Sequence, residues 1–390
     1  MRKAILLILI FTIVGLGSVV AQKTIDSPIY APITPEVIGQ GGSFTAVAHG
    51  YNSLFTNPAG FARDGGSFTL LSATASPFFI PNDEDINNLE KVMAAETEQD
   101  ISNALVGLEE LITGNGIGAA GNAGIGLVGR GLGLGLVGNM DFYGRGETAL
   151  GTSIDAVYDW AIIGGLAFPF ELGPLTAYVG GDLRYMLRAE ARDVAIVDFA
   201  SAATETGDDV SFDVYSGSGL GFDLGTIVEL GKWSFGFAAR DIGGTELNYK
   251  VNTADNLDQV MAFDGSGSEI DDTYVIPMVT SYGIGYDPDG FLLPAWLFDP
   301  VFHAEYRKTH YEGTDAKEDS FFTGVHMGME AKVLRFLKLR TGINQGYATF
   351  GLGAKLLFMD INASYFTREM GRYAGVKPNE GFTVEAAIRF

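Results

Sequence analysis

Three glycine-rich stretches are the first feature of this sequence that could carry chemistry. They match G-x-G-x-x-G at Gly116-Gly118-Gly121, Gly124-Gly126-Gly129 and Gly133-Gly135-Gly138. This fingerprint binds a dinucleotide when a strand precedes it, a helix follows it and an acidic residue stands about 20 positions further on. The element before these glycines has a helical pattern instead, and the three matches crowd into one run. We therefore interpret them as strand glycines, which leave little side-chain surface and kink easily, and we expect no cofactor.

Residues for hydrolytic or metal chemistry are scarce. The chain has no cysteine and only four histidines, His49, His303, His310 and His326. It contains neither G-x-S-x-G nor H-E-x-x-H, and the lack of cysteine excludes disulfides, zinc knuckles and thiol nucleophiles. A Ser-His-acid site built from residues distant in sequence stays open, because such triads are defined in space. We predict no enzyme activity, no catalytic residue and no metal site.

The composition excludes other classes. The 390 residues are 47% hydrophobic, which is too apolar for a disordered chain. The net charge of −23 argues against a nucleic-acid partner, since such proteins cluster lysine and arginine against phosphates.

Residues 1–21 have the pattern of a secretory signal peptide. Arg2 and Lys3 precede an apolar run from Ala4 to Val20, and we predict cleavage after Ala21. An uncleaved anchor is the alternative, because the run approaches the length that spans a bilayer. No apolar run of that length follows, so an exported chain this apolar indicates a membrane protein made of strands.

Apolar and polar residues alternate along much of the chain. In the last segment Phe382, Val384 and Phe390 share one face, and Thr383 and Glu385 share the other. Such windows occur at 380-390, 359-368, 347-358, 335-344, 320-332, 299-309, 275-286, 232-241, 213-229, 175-188, 153-169, 131-143 and 67-79. Each is about as long as a tilted strand that crosses a bilayer.

The connections between these windows alternate between short and long. In outer-membrane barrels short turns face the periplasm, the last strand ends there, and the strand number is even. Thirteen windows therefore require one more strand, which fits as a hairpin near Arg130 within 117–143. The predicted fold is all-β: a 14-stranded antiparallel transmembrane β-barrel over residues 67-390, in the outer membrane.

Most of the net negative charge falls in three predicted outer loops, 80-116, 189-212 and 242-274. Within the first loop, Ile101, Leu105, Leu108 and Ile112 recur at helical spacing, so we predict a helix there.

Residues 22-66 precede the barrel and are too short to fold alone. The stretch from Gly39 to Ala62 is small, apolar and rich in turns, and Asn57-Pro58-Ala59-Gly60 forms a turn motif. With a barrel starting directly after it and Phe390 at the C-terminus, this region resembles the FadL family, outer-membrane transporters of long-chain fatty acids and other hydrophobic compounds.

The resemblance implies that residues 22-66 form a hatch inside the barrel, with Asn57, Pro58, Ala59 and Gly60 in its gating turn. It also implies a kinked third strand that opens a lateral path into the membrane, which places Gly131, Gly133 and Gly135 at the opening. The expected partners are a hydrophobic small molecule or fatty acid, outer-membrane lipid, and the barrel-assembly machinery through Phe390.

Three arginines could fix an acidic headgroup. By alternation Arg184, Arg188 and Arg240 face the lumen, where a guanidinium can bind a carboxylate. Pairing with Asp182, Glu190 or Asp241 is the other interpretation.

Two other functions stay open. Relatives of the FadL family of the PorV type serve as docking subunits of secretion or assembly machines, and an outer-membrane lipase is the enzymatic alternative.

Overall fold

The computed structural model describes residues 24–26, 29–64, 66–78, 87–88, 90–91, 94, 97–107, 116–146, 151–195, 198, 212–254, 267–270, 273–288, 293–311, 321–334, 336–369 and 378–390. Fourteen antiparallel strands close into one barrel, which confirms the predicted fold and strand number. The strands are β1 (Ser67–Pro77), β2 (Ile117–Gly129), β3 (Leu132–Gly146), β4 (Thr152–Leu172), β5 (Leu175–Ala195), β6 (Phe212–Leu230), β7 (Trp233–Arg240 and Thr245–Ala254), β8 (Thr273–Ile276 and Met278–Tyr286), β9 (Phe298–His310), β10 (Val325–Val333), β11 (Leu337–Asn344), β12 (Tyr347–Leu356), β13 (Met359–Glu369) and β14 (Pro378–Arg389).

The first and last strands close the barrel. Strand β14 pairs antiparallel with β1, from Val384 opposite Ala75 to Arg389 opposite Thr69. Beyond the ladder, Phe68 and Phe390 exchange two backbone hydrogen bonds of 3.1 and 3.0 Å. The chain end is thus part of the wall.

The hairpin expected near Arg130 is present and supplies the strand that periodicity missed. Strands β2 and β3 pair from Gly129 opposite Leu132 up to Ile117 opposite Gly144. Arg130 has a φ of 54° and Gly131 a φ of 84°, so the turn uses the left-handed region that favours glycine.

The wall is apolar outside and polar inside. On β14, Phe382 and Val384 are 49% and 43% exposed, whereas Thr383 and Glu385 are buried. The same division holds around the wall, where the exposed large apolar side chains include Leu127, Leu134, Ile162, Leu183, Leu220, Phe235, Tyr282, Met327, Phe350 and Ile361. An outward apolar band around a polar interior is the pattern of a barrel that sits in a bilayer.

One predicted loop is wrong in its bounds. The stretch 242-274 was expected to be an outer loop, but β7 resumes at Thr245 and continues to Ala254, and β8 begins at Thr273. A bulge at Asp241–Gly244, with positive φ at Asp241, Gly243 and Gly244, interrupts the alternation and hides the continuation of the strand. Strand β5 likewise extends to Ala195, into the predicted loop 189-212.

The N-terminal region lies inside the barrel. We call residues 29–64 the plug; it contains helix α1 (Pro35–Ile38), helix α2 (Ser53–Thr56) and a 3-10 turn at Pro58–Ala62. Before it, Thr24–Asp26 pairs in parallel with the start of β8. The predicted signal peptide, 1–21, falls outside the described residues, so it and the 22-66 boundaries stay predictions.

A third helix, α3 (Glu98–Gly107), lies within the predicted helical loop; positions 108–115 are outside the described residues. Among the helices in the described part of the chain, none is long and apolar enough to cross a membrane.

Candidate functional site

The Asn57 turn joins the plug to the wall. Asn57 is fully buried, and its side-chain amide donates to the carbonyl oxygens of Thr45 (2.9 Å), Thr226 (3.3 Å) and Phe237 (3.3 Å). Its side-chain oxygen accepts from the Ala59 amide at 3.1 Å, which caps the 3-10 turn. One side chain thus ties two parts of the plug to strands β6 and β7.

Inward-facing glycines make room for this turn. A Cβ added at Gly225 would lie 1.9 Å from the side-chain oxygen of Asn57, and one at Gly180 would lie 2.5 Å from the Pro58 carbonyl oxygen. A Cβ added at Gly60, inside the turn, would lie 2.7 Å from the Ala48 carbonyl oxygen. The plug therefore lies directly against the wall backbone, so any shift of the turn must break these contacts. Sequence reasoning missed the wall glycines, although their parity with inward polar residues could have identified them.

One side of the plug is held by polar contacts to strands β9 to β12. The Glu36 carboxylate accepts hydrogen bonds from Lys338 (2.9 Å) and Arg340 (3.3 Å). Burial raises the pKa of Glu36, but the charges of Lys338 and Arg340 outweigh burial and hold that pKa well below its ordinary value of 4.5. The Glu305 carboxylate accepts from two successive plug amides, those of Phe44 and Thr45, each at 2.9 Å.

The four histidines form hydrogen bonds on this polar side of the lumen. His303 bonds to the Gln40 side chain at 2.8 Å, and His326 bonds to the Gly41 carbonyl oxygen at 2.9 Å. His49 bonds to the Val47 carbonyl, and His310 bonds to the Thr280 hydroxyl. None of these contacts pairs a histidine with a serine.

The other side of the plug is apolar and packs on strands β2 to β8. The apolar cluster contains Tyr30, Tyr51, Leu54, Phe55 and Phe61 from the plug, and Val128, Val137, Ala161, Ile163, Ala167, Met186, Leu247, Tyr249, Tyr274 and Ile276 from the wall. It extends from Ala167, near the short turn that ends β4, to Tyr274, at the opposite end of the barrel in β8. An apolar cluster thus runs lengthwise through a lumen that is otherwise polar, and the buried ion pairs of Arg184 and Arg188 lie on the same side of the barrel, on strands β4 to β7.

Two tyrosine hydroxyls lie in the apolar cluster without a hydrogen-bond partner among the described residues, those of Tyr30 and Tyr51. Burial raises the pKa of both hydroxyls above its ordinary value, so both stay protonated and able to donate. An apolar cluster with a few unsatisfied donors offers an amphipathic molecule both an apolar surface and hydrogen-bond donors.

A cavity of about 70 Å³ lies between the plug and strands β7 to β9. One water needs only about 10–15 Å³ of such space, so the cavity accommodates a group of several atoms. Its lining is Ala31, Pro32, Thr34, Val37, Thr45, Phe55, Thr56, Arg240, Ser281 and Arg307. Arg307 is ion-paired with Glu305 at 2.7 Å. Arg240, beside hydroxyls and apolar carbons, is therefore the group in this lining that could bind a carboxylate together with the first part of an alkyl chain.

The three arginines predicted as ligand-binding residues are all buried, but their partners differ. Arg184 binds Asp223 at 3.0 Å and also Asp241, and Arg188 binds Asp159 at 2.6 Å. Arg240 donates only to backbone carbonyl oxygens, those of Tyr30 and Phe55, and forms no ion pair with a carboxylate among the described residues. Arg240 is therefore the one of the three that makes no ion pair among the described residues and that lines the cavity.

The glycines predicted at a lateral opening lie against the plug. A Cβ at Gly133 would be 2.6 Å from the Phe61 ring, and one at Gly135 would be 2.9 Å from Leu54. Gly131 forms the β2–β3 turn. Their role in opening the wall stays a prediction.

No family model matches this chain, and no curated protein matches it. Among solved structures, it is similar to the Ralstonia pickettii toluene transporter TbuX, with 12% identity over 92% of this chain and 98% of that chain and a TM-score of 0.48. It is also similar to the Pseudomonas putida toluene transporter TodX, with 12% identity over 94% of this chain and 99% of that chain and a TM-score of 0.43. The outer membrane phospholipase A from Escherichia coli is a weaker match, with 12% identity over 83% of this chain and 92% of that chain and a TM-score of 0.28. Similarities this weak do not define a function, which has to be inferred from the residues of this chain.

Proposed function

We propose that this chain is an outer-membrane barrel for passive uptake of hydrophobic or amphipathic small molecules, with long-chain fatty acids as the first class to test. The observation that carries the proposal is the apolar cluster, which runs along a lumen that is polar elsewhere. A barrel that only had to be closed could fill its lumen with polar side chains, as it does along strands β9 to β12.

The outer face of the barrel supports this location. Exposed apolar side chains surround the barrel, and burying them in lipid stabilises the protein by about 25 cal/mol per Å². The resemblance of the Asn57 turn to the FadL family supports the same location and class of cargo.

Two parts of the candidate site support this ligand class. An acyl chain that replaces plug side chains in the apolar cluster gains about 0.8 kcal/mol per CH₂ group removed from water. Arg240, with Arg307 beside it, would bind the carboxylate in the cavity. A neutral hydrocarbon would use the apolar cluster alone.

Gating is assigned to the plug turn. For a ligand to pass, the turn has to move away from Gly180 and Gly225 in the wall; it consists of Asn57, Pro58, Ala59 and Gly60. The polar contacts of Glu36 and Glu305 would keep the rest of the plug attached. The ligand would then leave sideways into the membrane.

The test is binding of radiolabelled oleate and of toluene to the purified full-length barrel. Arg240→Gln should weaken oleate binding about tenfold, the loss of one charge-assisted contact of about 1.5 kcal/mol, and leave toluene binding unchanged. Arg63→Gln is the matched control, because Arg63 pairs with Glu229 and lies outside the cavity. Absence of saturable binding of either probe would refute the proposal, and a tightly retained protein partner in such a preparation would favour the docking role.

A further inference from the structure

The ladder between β6 and β7 is interrupted halfway along the wall. The last pair on the short-turn side is Leu224 with Ala239, and pairing resumes at Ser218 with Asn248. Between them, residues 219–223 of β6 face the longer segment 240–247 of β7. At about 3.3 Å per residue, roughly 17 Å of β6 lies beside a bulge instead of a paired strand.

The glycine-rich third strand has no such interruption. Strand β3 pairs with β4 at each residue from Leu132 to Gly146, and with β2 from Leu132 to Gly144. An opening at β3 would break a complete ladder on either side. At the β6–β7 break, the Ile242 amide donates to the Phe222 carbonyl oxygen across the gap, at 2.9 Å.

Charged side chains close the break from inside. The Arg184 guanidinium, from β5, binds Asp223 on β6 at 3.0 Å and also Asp241 on the β7 bulge. The Asp241 amide donates to Asp223 at 2.7 Å, and the Thr245 hydroxyl donates to Asp241 at 2.6 Å. Arg184 thus bridges the β6 and β7 edges of the break.

A further acidic side chain, that of Asp182, lies next to Arg184. Asp182 lies two residues from Arg184 on the same face of β5, is 3% exposed, and has no hydrogen-bond partner on either carboxylate oxygen among the described residues. The Arg184 Nε is also buried without a partner. A buried acidic side chain whose two oxygens make no hydrogen bond is costly, so a side-chain rotation that pairs Arg184 with Asp182 would offset the loss of its bond to Asp241.

Both parts of the proposed ligand site border this break. Arg240, which lines the cavity, directly precedes the bulge, and Leu247, just beyond it, belongs to the apolar cluster. The Arg184 guanidinium lies 5.0 Å from the centre of the Tyr30 ring, at the start of the plug.

We propose that the ligand leaves the lumen through the β6–β7 break, and that Arg184 opens it by exchanging Asp241 for Asp182. The exit rests on the proposed uptake function. It replaces the glycine strand β3 as the place where the wall opens.

The chain has no cysteine, so each engineered cysteine pair has no other thiol in the chain with which to form a disulfide. F222C with I242C would lock the break, because these residues adjoin across it. V228C with F235C locks an intact part of the same ladder, and L136C with I162C, a pair that faces outward, locks β3 to β4. The assay measures transfer of bound oleate from the full-length barrel in nanodiscs to acceptor lipid, before and after reduction.

The oxidised 222/242 pair should slow transfer at least tenfold with oleate affinity unchanged within twofold, and reduction should restore the rate. The two control pairs should transfer at the wild-type rate. As a second measurement without a cross-link, Asp241→Asn should speed transfer severalfold, and Asp182→Asn should slow it. Wild-type transfer through the locked break, or slowing by the 136/162 pair instead, would overturn the exit alone; a wild-type barrel that binds no oleate would overturn the uptake function as well.

Discussion

Replacing Asn57 by alanine should loosen the plug without unfolding the barrel. The substitution removes the donor that the Thr45 carbonyl oxygen accepts from at 2.9 Å, and the acceptor for the Ala59 amide at 3.1 Å. Both groups are buried, and each buried group left unpaired costs about 1–3 kcal/mol. We expect the turn at Pro58–Ala62 to open more easily by about 2–4 kcal/mol. The barrel ladder keeps its own backbone hydrogen bonds.

The measurement is hydrogen exchange of plug amides by mass spectrometry. A loss of 2–4 kcal/mol corresponds to exchange about 30- to 700-fold faster for peptides that cover residues 57–62. Peptides from the intact β3–β4 ladder should exchange as in the wild type.

Two variants control for size and charge. Asn57→Asp keeps the acceptor for Ala59 but turns an oxygen toward three carbonyl oxygens, so it should loosen the turn more than alanine does. Asn103→Ala, at an exposed position of α3, should change nothing. Equal plug protection in Asn57→Ala and the wild type would refute the view that this side chain holds the turn.

Three further predictions follow from the contacts of the plug. The pKa of Glu36 is lowered, so its ion pairs should stabilise the plug fully above about pH 4.5 and should lose that contribution as the pH falls below this value. Hydrogen exchange of plug amides followed from pH 7 to pH 3 should show this loss. Glu36→Gln should remove the pH dependence. Gly133→Val would place a side chain within 2.6 Å of the Phe61 ring, so it should destabilise the folded barrel by about 1–3 kcal/mol in urea; an unchanged stability would contradict this packing. Arg63→Ala breaks an ion pair with Glu229 whose side chains are 20% and 30% exposed, so its cost should stay below about 1 kcal/mol in the same titration.

Local periodicity determined most of the barrel. A strand that is wet on one side and apolar on the other alternates at every residue, so Phe382, Thr383, Val384 and Glu385 already show which face is which. Counting the strands and requiring an even number gave fourteen and placed the missing turn at Arg130. The same alternation directed Arg184, Arg188 and Arg240 toward the lumen, where the structure has them buried.

Tertiary structure alone decided what the inward residues do. Arg240 donates to the Tyr30 and Phe55 carbonyl oxygens, which the plug brings to it, and Glu305 meets Phe44 across 261 residues of sequence. The bulge at Asp241–Gly244 breaks the alternation, so the sequence pattern ended β7 too early. The physical reason is range: alternation reports on which side of a strand a residue lies, whereas partners inside a barrel depend on which distant segment fills the lumen.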